Sequence, residues 1–149
     1  MEGILVVGDR MPIVVDASVA LKLVTPEAGT AEAQALLERS EERIAPDWML
    51  VEAAGGLANK MRRNELDPAR ARAALAALPS FIDRFVPAET LLGRAMSLAA
   101  DLDHPLYDCL YLLIAMAEDG VVITADDGLV AAARRGGFQE RVERLTWQI

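Results

Sequence analysis

Apolar residues follow two rhythms along this chain: short, continuously hydrophobic runs rich in β-branched residues, and longer stretches where they recur every three or four positions among charges. The first rhythm predicts buried strands and the second predicts amphipathic helices. "PIVVD", Pro12 to Asp16, reads as a buried strand, and "SVALKLV" opens a helix. Ala33, Leu36 and Leu37 recur at helical spacing between Ala28 and Arg43, predicting one amphipathic helix there. "RIAPD" is a brief strand closed by proline. Asp47 is the expected N-cap of a helix to Arg63, with Leu50, Ala54, Leu57 and Met61 on one face. Gly55 and Gly56 inside it suggest close approach of another backbone or a ligand.

Farther along, "LDPARARAALAAL" starts a helix with Asp67 as cap and Pro68 at its first position. "RFVP" predicts a third strand and "AETLLGRAMSLAADL" another helix. Asp103 with Pro105 is expected to open the helix of "HPLYDCLYLLIAMAEDG". "GVVITADDG" holds the clearest strand, followed by a helix stopping at Gly136 and Gly137. "RLTWQ" is the expected last strand. Five strands alternating with helices predict an α/β fold: one domain over residues 11–149, with a mainly parallel sheet covered by helices on both faces.

Composition narrows the function classes. The chain has 149 residues, the size of one domain, and 53% of them are hydrophobic, so a real core is expected. Its net charge of −8 argues against coating nucleic acid by bulk charge, so a bound polyanion must meet a local basic patch. Cys109 is the only cysteine, which rules out an intramolecular disulfide and a cysteine-built zinc site and points to a reducing compartment. "MEGILVVGDRM" lacks a basic n-region and a small-residue cleavage site, and no apolar run approaches the ~20 residues that span a bilayer. A cytoplasmic, membrane-free protein is expected.

The carboxylates carry the candidate chemistry. In an open parallel sheet, ligands sit beyond the carboxyl ends of the strands. Asp16 stands at the end of one apolar run, and Asp126 and Asp127 at the end of another; if those strands are neighbours, both deliver acids to one rim. Each position also suits a helix cap or turn. Glu52, among apolar and small residues, and Asp108, followed by nine apolar residues, are harder to explain as surface groups. A buried unpaired carboxylate is costly, and no lysine or arginine lies between Arg94 and Arg134. A shared hard cation with oxygen ligands accounts for all four acids.

Taken together, "VVDASVALKL", "PDWMLVEAAGGL", "HPLYDCLYLLIA" and "VVITADDGL" resemble the four acidic motifs of the PIN-domain nucleases, in particular VapC-type toxins of toxin–antitoxin pairs, over residues 12 to 148. The resemblance implies that Asp16, Glu52 and Asp108 are metal-binding acids, that Asp126 is the fourth acid, and that Ser18 and Thr124, with Asp127, stand beside them. It further implies a ribonuclease, leaving 5′-phosphate and 3′-hydroxyl ends, and an antitoxin that wraps the protein. Two features depart from the pattern. Gly55 stands where many relatives carry Asn, and residues 1–10 precede the usual start near Met11, as an extension or an artefact.

Oxygen-only ligands suit Mg²⁺ or Mn²⁺, not zinc, and a metal pair could activate water and stabilise the leaving oxygen. His104, the single histidine, is a candidate general base, although a histidine just after a helix cap usually has a structural role. Lys60, Arg62, Arg63, Arg70 and Arg72 lie within thirteen residues holding only Glu65 and Asp67 as acids, and form the expected RNA-contacting rim. A homodimer is the expected assembly. The rival reading is a binding module: an inactive PIN fold, or a receiver-like domain, which would need a lysine after a late strand where none follows Lys60. A haloacid-dehalogenase-type phosphatase would want Asp where Ser18 stands.

Overall fold

The computed structural model describes residues 11–146, so residues 1–10 and the Trp147–Gln148 end of the expected last strand lie outside the described residues. Five strands form one sheet in the order β3-β2-β1-β4-β5, with every neighbouring pair parallel. They are Ile13–Val15 (β1), Arg43–Pro46 (β2), Arg84–Val86 (β3), Val121–Thr124 (β4) and Val142–Arg144 (β5). All three residues of β1 are buried, as are Val122, Ile123 and Thr124. Because side chains alternate across a sheet, a strand buried at every position is covered on both faces.

Among the described residues, seven α-helices surround the sheet: Ala17–Val24 (α1), Thr30–Ala35 (α2), Met49–Arg62 (α3), Pro68–Ala77 (α4), Leu92–Leu102 (α5), Leu106–Ala117 (α6) and Asp127–Arg135 (α7). α1, α2, α3 and α4 pack on one another, whereas α6 packs on α5 and lies against β1, β2 and β4. From Cys109 to Ala115 every residue of α6 is buried, which is why its apolar pattern runs nearly all round.

Four expectations about element ends need correction. The helix expected over 28–43 is α2, which tightens into a 3-10 turn at Leu36–Glu38 and then breaks. Arg43 is needed by the sheet, opposite Ile13. Asp47 does not cap α3: its backbone N–H extends the sheet by donating to Val86 O, 2.9 Å, and Trp48 precedes the helix without a side-chain cap. Asp103 closes α5 in the left-handed conformation, φ 49°, one that aspartate tolerates better than most residues, and Pro105 precedes α6. β5 begins two residues earlier than expected, Val142 lying opposite Val122. The Asp67 cap holds, its carboxylate accepting from Arg70 N at 2.9 Å.

Candidate metal centre

The strand order places β1 beside β4, with β2 and β3 on one side and β5 on the other. Successive connections therefore leave β1 in opposite directions, and the crevice at the carboxyl ends of β1 and β4 is the topological switch point of the sheet, where open α/β sheets bind ligands. Asp16 directly follows β1 there and caps α1, accepting from Val19 N at 3.1 Å.

Asp16 is buried, and its carboxylate is held from both sides. The Ser18 hydroxyl donates to Oδ1 at 2.5 Å, and the Thr124 hydroxyl, at the end of β4, donates to Oδ2. Both hydroxyls are themselves fixed, Ser18 Oγ accepting from Ala125 N at 3.1 Å and Thr124 Oγ1 from Asp126 N at 3.0 Å. Two hydroxyls thus stitch the ends of the two central strands through one carboxylate. With two donors on Oδ1 and one on Oδ2, one lone-pair direction of Oδ2 is left for a further partner.

Asp108 sits in the first turn of α6, and His104 Nε2–H donates to its Oδ2 at 2.5 Å. Glu52 projects from the first turn of α3. It stands near Tyr111, three residues beyond Asp108 on α6, whose hydroxyl works against the rise of the Glu52 carboxyl and accepts from Ala17 N at 3.1 Å. Sequence reasoning missed Tyr111 because a phenol inside an apolar run counts as core. Its single polar atom on the Asp108 face of the helix was the available signal.

These carboxylates sense one another. Burial, followed by the charges of Asp16 and Asp108, pushes the Glu52 carboxyl up to about 7. Burial also raises Asp16, with a smaller contribution from Asp108, and raises Asp108, with the Asp126 charge adding to it. Among the described residues, no three His, Cys, Asp or Glu side chains close tightly enough to hold one ion directly. Zinc takes three or four direct protein ligands, whereas Mg²⁺ takes one or two carboxylates and keeps several waters. The donor set is carboxylate oxygen, His104 is engaged with Asp108, and Cys109 is buried. A donor set of carboxylate oxygens is of the kind that suits Mg²⁺ or Mn²⁺.

The remaining residues divide. Asp126 is exposed and caps α7, accepting from Gly128 N at 2.8 Å, while its charge reaches Asp108. Asp127 pairs with Arg144 Nε at 2.7 Å, on the β5 side. The basic stretch is not one surface. Lys60 and Arg63 line a groove of about 720 Å³ that also contains Ser18 and Asp126. Within it, Lys60 Nζ lies 2.8 Å from Glu27. Arg62 bonds Asn59, Arg72 is exposed on α4, and Arg70 lines a separate apolar groove with Leu66 and Phe81. Gly55 faces open space, and a side chain at Gly56 would meet Leu21 Cδ1 at 2.6 Å, so the close approach expected there is helix packing by a side chain.

Comparison with known proteins supplies the context. The PIN domain family model matches residues 13–135. The crystal structure of PAE2754 from Pyrobaculum aerophilum is similar in fold, with a TM-score of 0.66 at 21% identity, covering 82% of this chain and 79% of that one. No curated protein sequence matches significantly.

Proposed function

The chain belongs to the PIN-domain family, whose members are generally metal-dependent nucleases, and on that premise we propose that it is a Mg²⁺- or Mn²⁺-dependent endoribonuclease acting as the toxin of a VapC-type toxin–antitoxin pair. The observation that carries the ribonuclease reading is the gathering of Asp16, Glu52 and Asp108 at the sheet's switch point, where burial first, and then the charges of Asp16 and Asp108, push the Glu52 carboxyl up to about 7. Such mutual repulsion is costly to a fold unless a cation offsets it.

Each side chain has a definable task. Ser18 and Thr124 fix the Asp16 carboxylate, leaving the open lone pair of Oδ2 for the ion. His104 holds one oxygen of Asp108 and leaves the other for a further partner. Tyr111, fixed to the start of α1 through Ala17 N, stands beside Glu52. When bound, the ion supplies a Lewis acid for the phosphate and lowers the pKa of water. RNA cleavage by the purified chain that requires Mg²⁺ or Mn²⁺ and stops in chelator tests this reading. A chain that binds metal yet leaves every RNA intact would be the non-catalytic PIN-fold module instead. The receiver-like alternative loses ground on topology, because that fold orders its strands 2-1-3-4-5 and this one 3-2-1-4-5.

RNA reaches an acidic protein along the groove that joins Lys60 and Arg63 to Ser18 and Asp126. Arg63→Glu should therefore weaken RNA binding and lower the slope of log affinity against log salt by about one, whereas Arg72→Glu on α4 leaves it unchanged. Equal slopes in both variants would make the groove an ordinary solvated face.

The toxin role rests on the motif likeness and on the −8 charge, which suits a basic partner better than free RNA. An antitoxin directing a basic side chain at the acids would block cleavage, so co-expression with the product of an adjoining small gene should silence activity. A product that neither binds nor inhibits counts against toxin function. A cytoplasmic homodimer completes the proposal; among the described residues, no helix is long and apolar enough to cross a membrane.

A further inference from the structure

The carboxylates share a wall with a recess that their own chemistry does not use. It encloses about 600 Å³ and is lined by Trp48, Val51, Pro105 and Tyr107, together with Glu52 and Asp108 themselves. Tyr107 is 58% exposed and Val51 75% exposed, large apolar groups open to solvent beside two acids. The Tyr107 ring is nonetheless fixed. It meets Trp48 edge-on, with centroids 5.3 Å apart at 65°, and Trp48 in turn meets Tyr111 at 5.0 Å and 75°. Tyr111 is the residue beside Glu52, its hydroxyl fixed by Ala17 N at 3.1 Å. An aromatic surface is therefore held at a set position relative to the acids by a chain of packed rings. The Trp48 indole N–H is buried without an acceptor among the described residues, a donor left over in this wall.

A ligand whose phosphate lies at Asp16, Glu52 and Asp108 must place its next chemical group nearby. The recess repels a second phosphate, since its charged lining is acidic and the rest is apolar. A flat, uncharged group suits it, and on an RNA strand that group is a base. Bases stack on aromatic side chains whatever their identity. Resting on the ribonuclease reading, we propose that this recess receives the nucleobase next to the scissile phosphate, stacked on Tyr107, and so sets the register of the strand over the acids.

The test uses short RNAs, intact or carrying an abasic residue beside the scissile bond. Removing the base should raise KM for the native protein roughly tenfold. Tyr107→Ala should raise KM for intact RNA by about the same factor and no longer distinguish the abasic strand, with a smaller effect on kcat. Tyr107→Phe, which keeps the ring, should recover most of the loss. Equilibrium binding of the same RNAs to Asp16→Asn, with and without Tyr107→Ala, reads the difference without turnover. A Tyr107→Ala protein with native KM, or one that still discriminates the abasic strand, overturns the proposal, even if that variant binds a protein partner less well. Absence of any metal-dependent cleavage by the native chain sinks the ribonuclease reading itself, whereas cleavage indifferent to Tyr107 sinks only the base recess.

Discussion

Asp16→Asn is expected to lower kcat/KM for metal-dependent RNA cleavage by roughly a hundredfold to a thousandfold, with circular dichroism unchanged. The fold should survive because the amide nearly reproduces the carboxylate's shape: its oxygen can take the place of Oδ1 and keep the Ser18 and Val19 donors, while the Thr124 hydroxyl turns to accept from the amide nitrogen. Stability should not fall either, since burial already disfavours the charged form of Asp16. Two things are lost: the negative charge and the open lone pair of Oδ2, the features that make the position a cation holder. Metal and electrostatic contributions of this kind are worth several kcal/mol in a transition state, and about 10²–10³ in rate for a single group. The comparison is made across a Mn²⁺ titration, so that weakened affinity separates from lost turnover. Wild-type activity that still requires metal would mean that the centre lies elsewhere.

How much of this could be read from the sequence depends on the distance over which each feature is determined. Asp16 and Asp126 were legible because β1 and β4 are continuous apolar runs, and the residue that ends such a run lands on the rim of the sheet. Glu52 and Asp108 were legible as carboxylates in apolar company. That β1 and β4 are neighbours is a property of strand order, which no local pattern carries. The helix ends at Asp47 and Asp103 were misread for a related reason. An aspartate before a helix looks the same whether it caps that helix, continues the preceding strand's hydrogen bonds, or closes the previous helix in the left-handed conformation. The basic stretch from Lys60 to Arg72 is compact in sequence but divided in space. The chain turns at Asn64, φ 57°, between α3 and α4, so Arg63 and Arg70 line different grooves. Trp48, just before α3, and Tyr107, in the first turn of α6, are far apart in the sequence and meet only in the fold, and neither has a periodicity that marks it as part of a site.

The metal-free protein should be destabilised by its own clustered carboxyls, and Glu52→Gln should reveal this. In the native fold the Glu52 carboxyl is pushed up to about 7 from 4.5, by burial first and then by the charges of Asp16 and Asp108. A carboxyl whose folded-state pKa lies above its unfolded value supports folding fully below the unfolded value, and loses that support as pH rises through the folded one. Stability in chelator should accordingly decline between about pH 4.5 and about 7 and level off above; the raised carboxyls of Asp16 and Asp108 act in the same direction. Glu27, held by Lys22 and Lys60, is lowered and has the opposite sign, but its effect falls below this window. A shift of this size would correspond to roughly 3 kcal/mol for a fully buried group. Glu52 keeps part of its contact with water, so about 1–2 kcal/mol is the reasonable share. For a chain of this length that is several degrees in Tm. Gln can still accept from the Tyr111 hydroxyl but carries no charge, so metal-free Glu52→Gln should melt a few degrees above native near pH 8 and converge with it near pH 5. Mn²⁺ should raise the native Tm, by mass action on the folded state, and raise that of the variant less. If Glu52→Gln in chelator instead melts well below native at pH 8, the ionised carboxylate is needed by the fold as the partner of Tyr111, and the repulsion among these acids is not what a cation relieves.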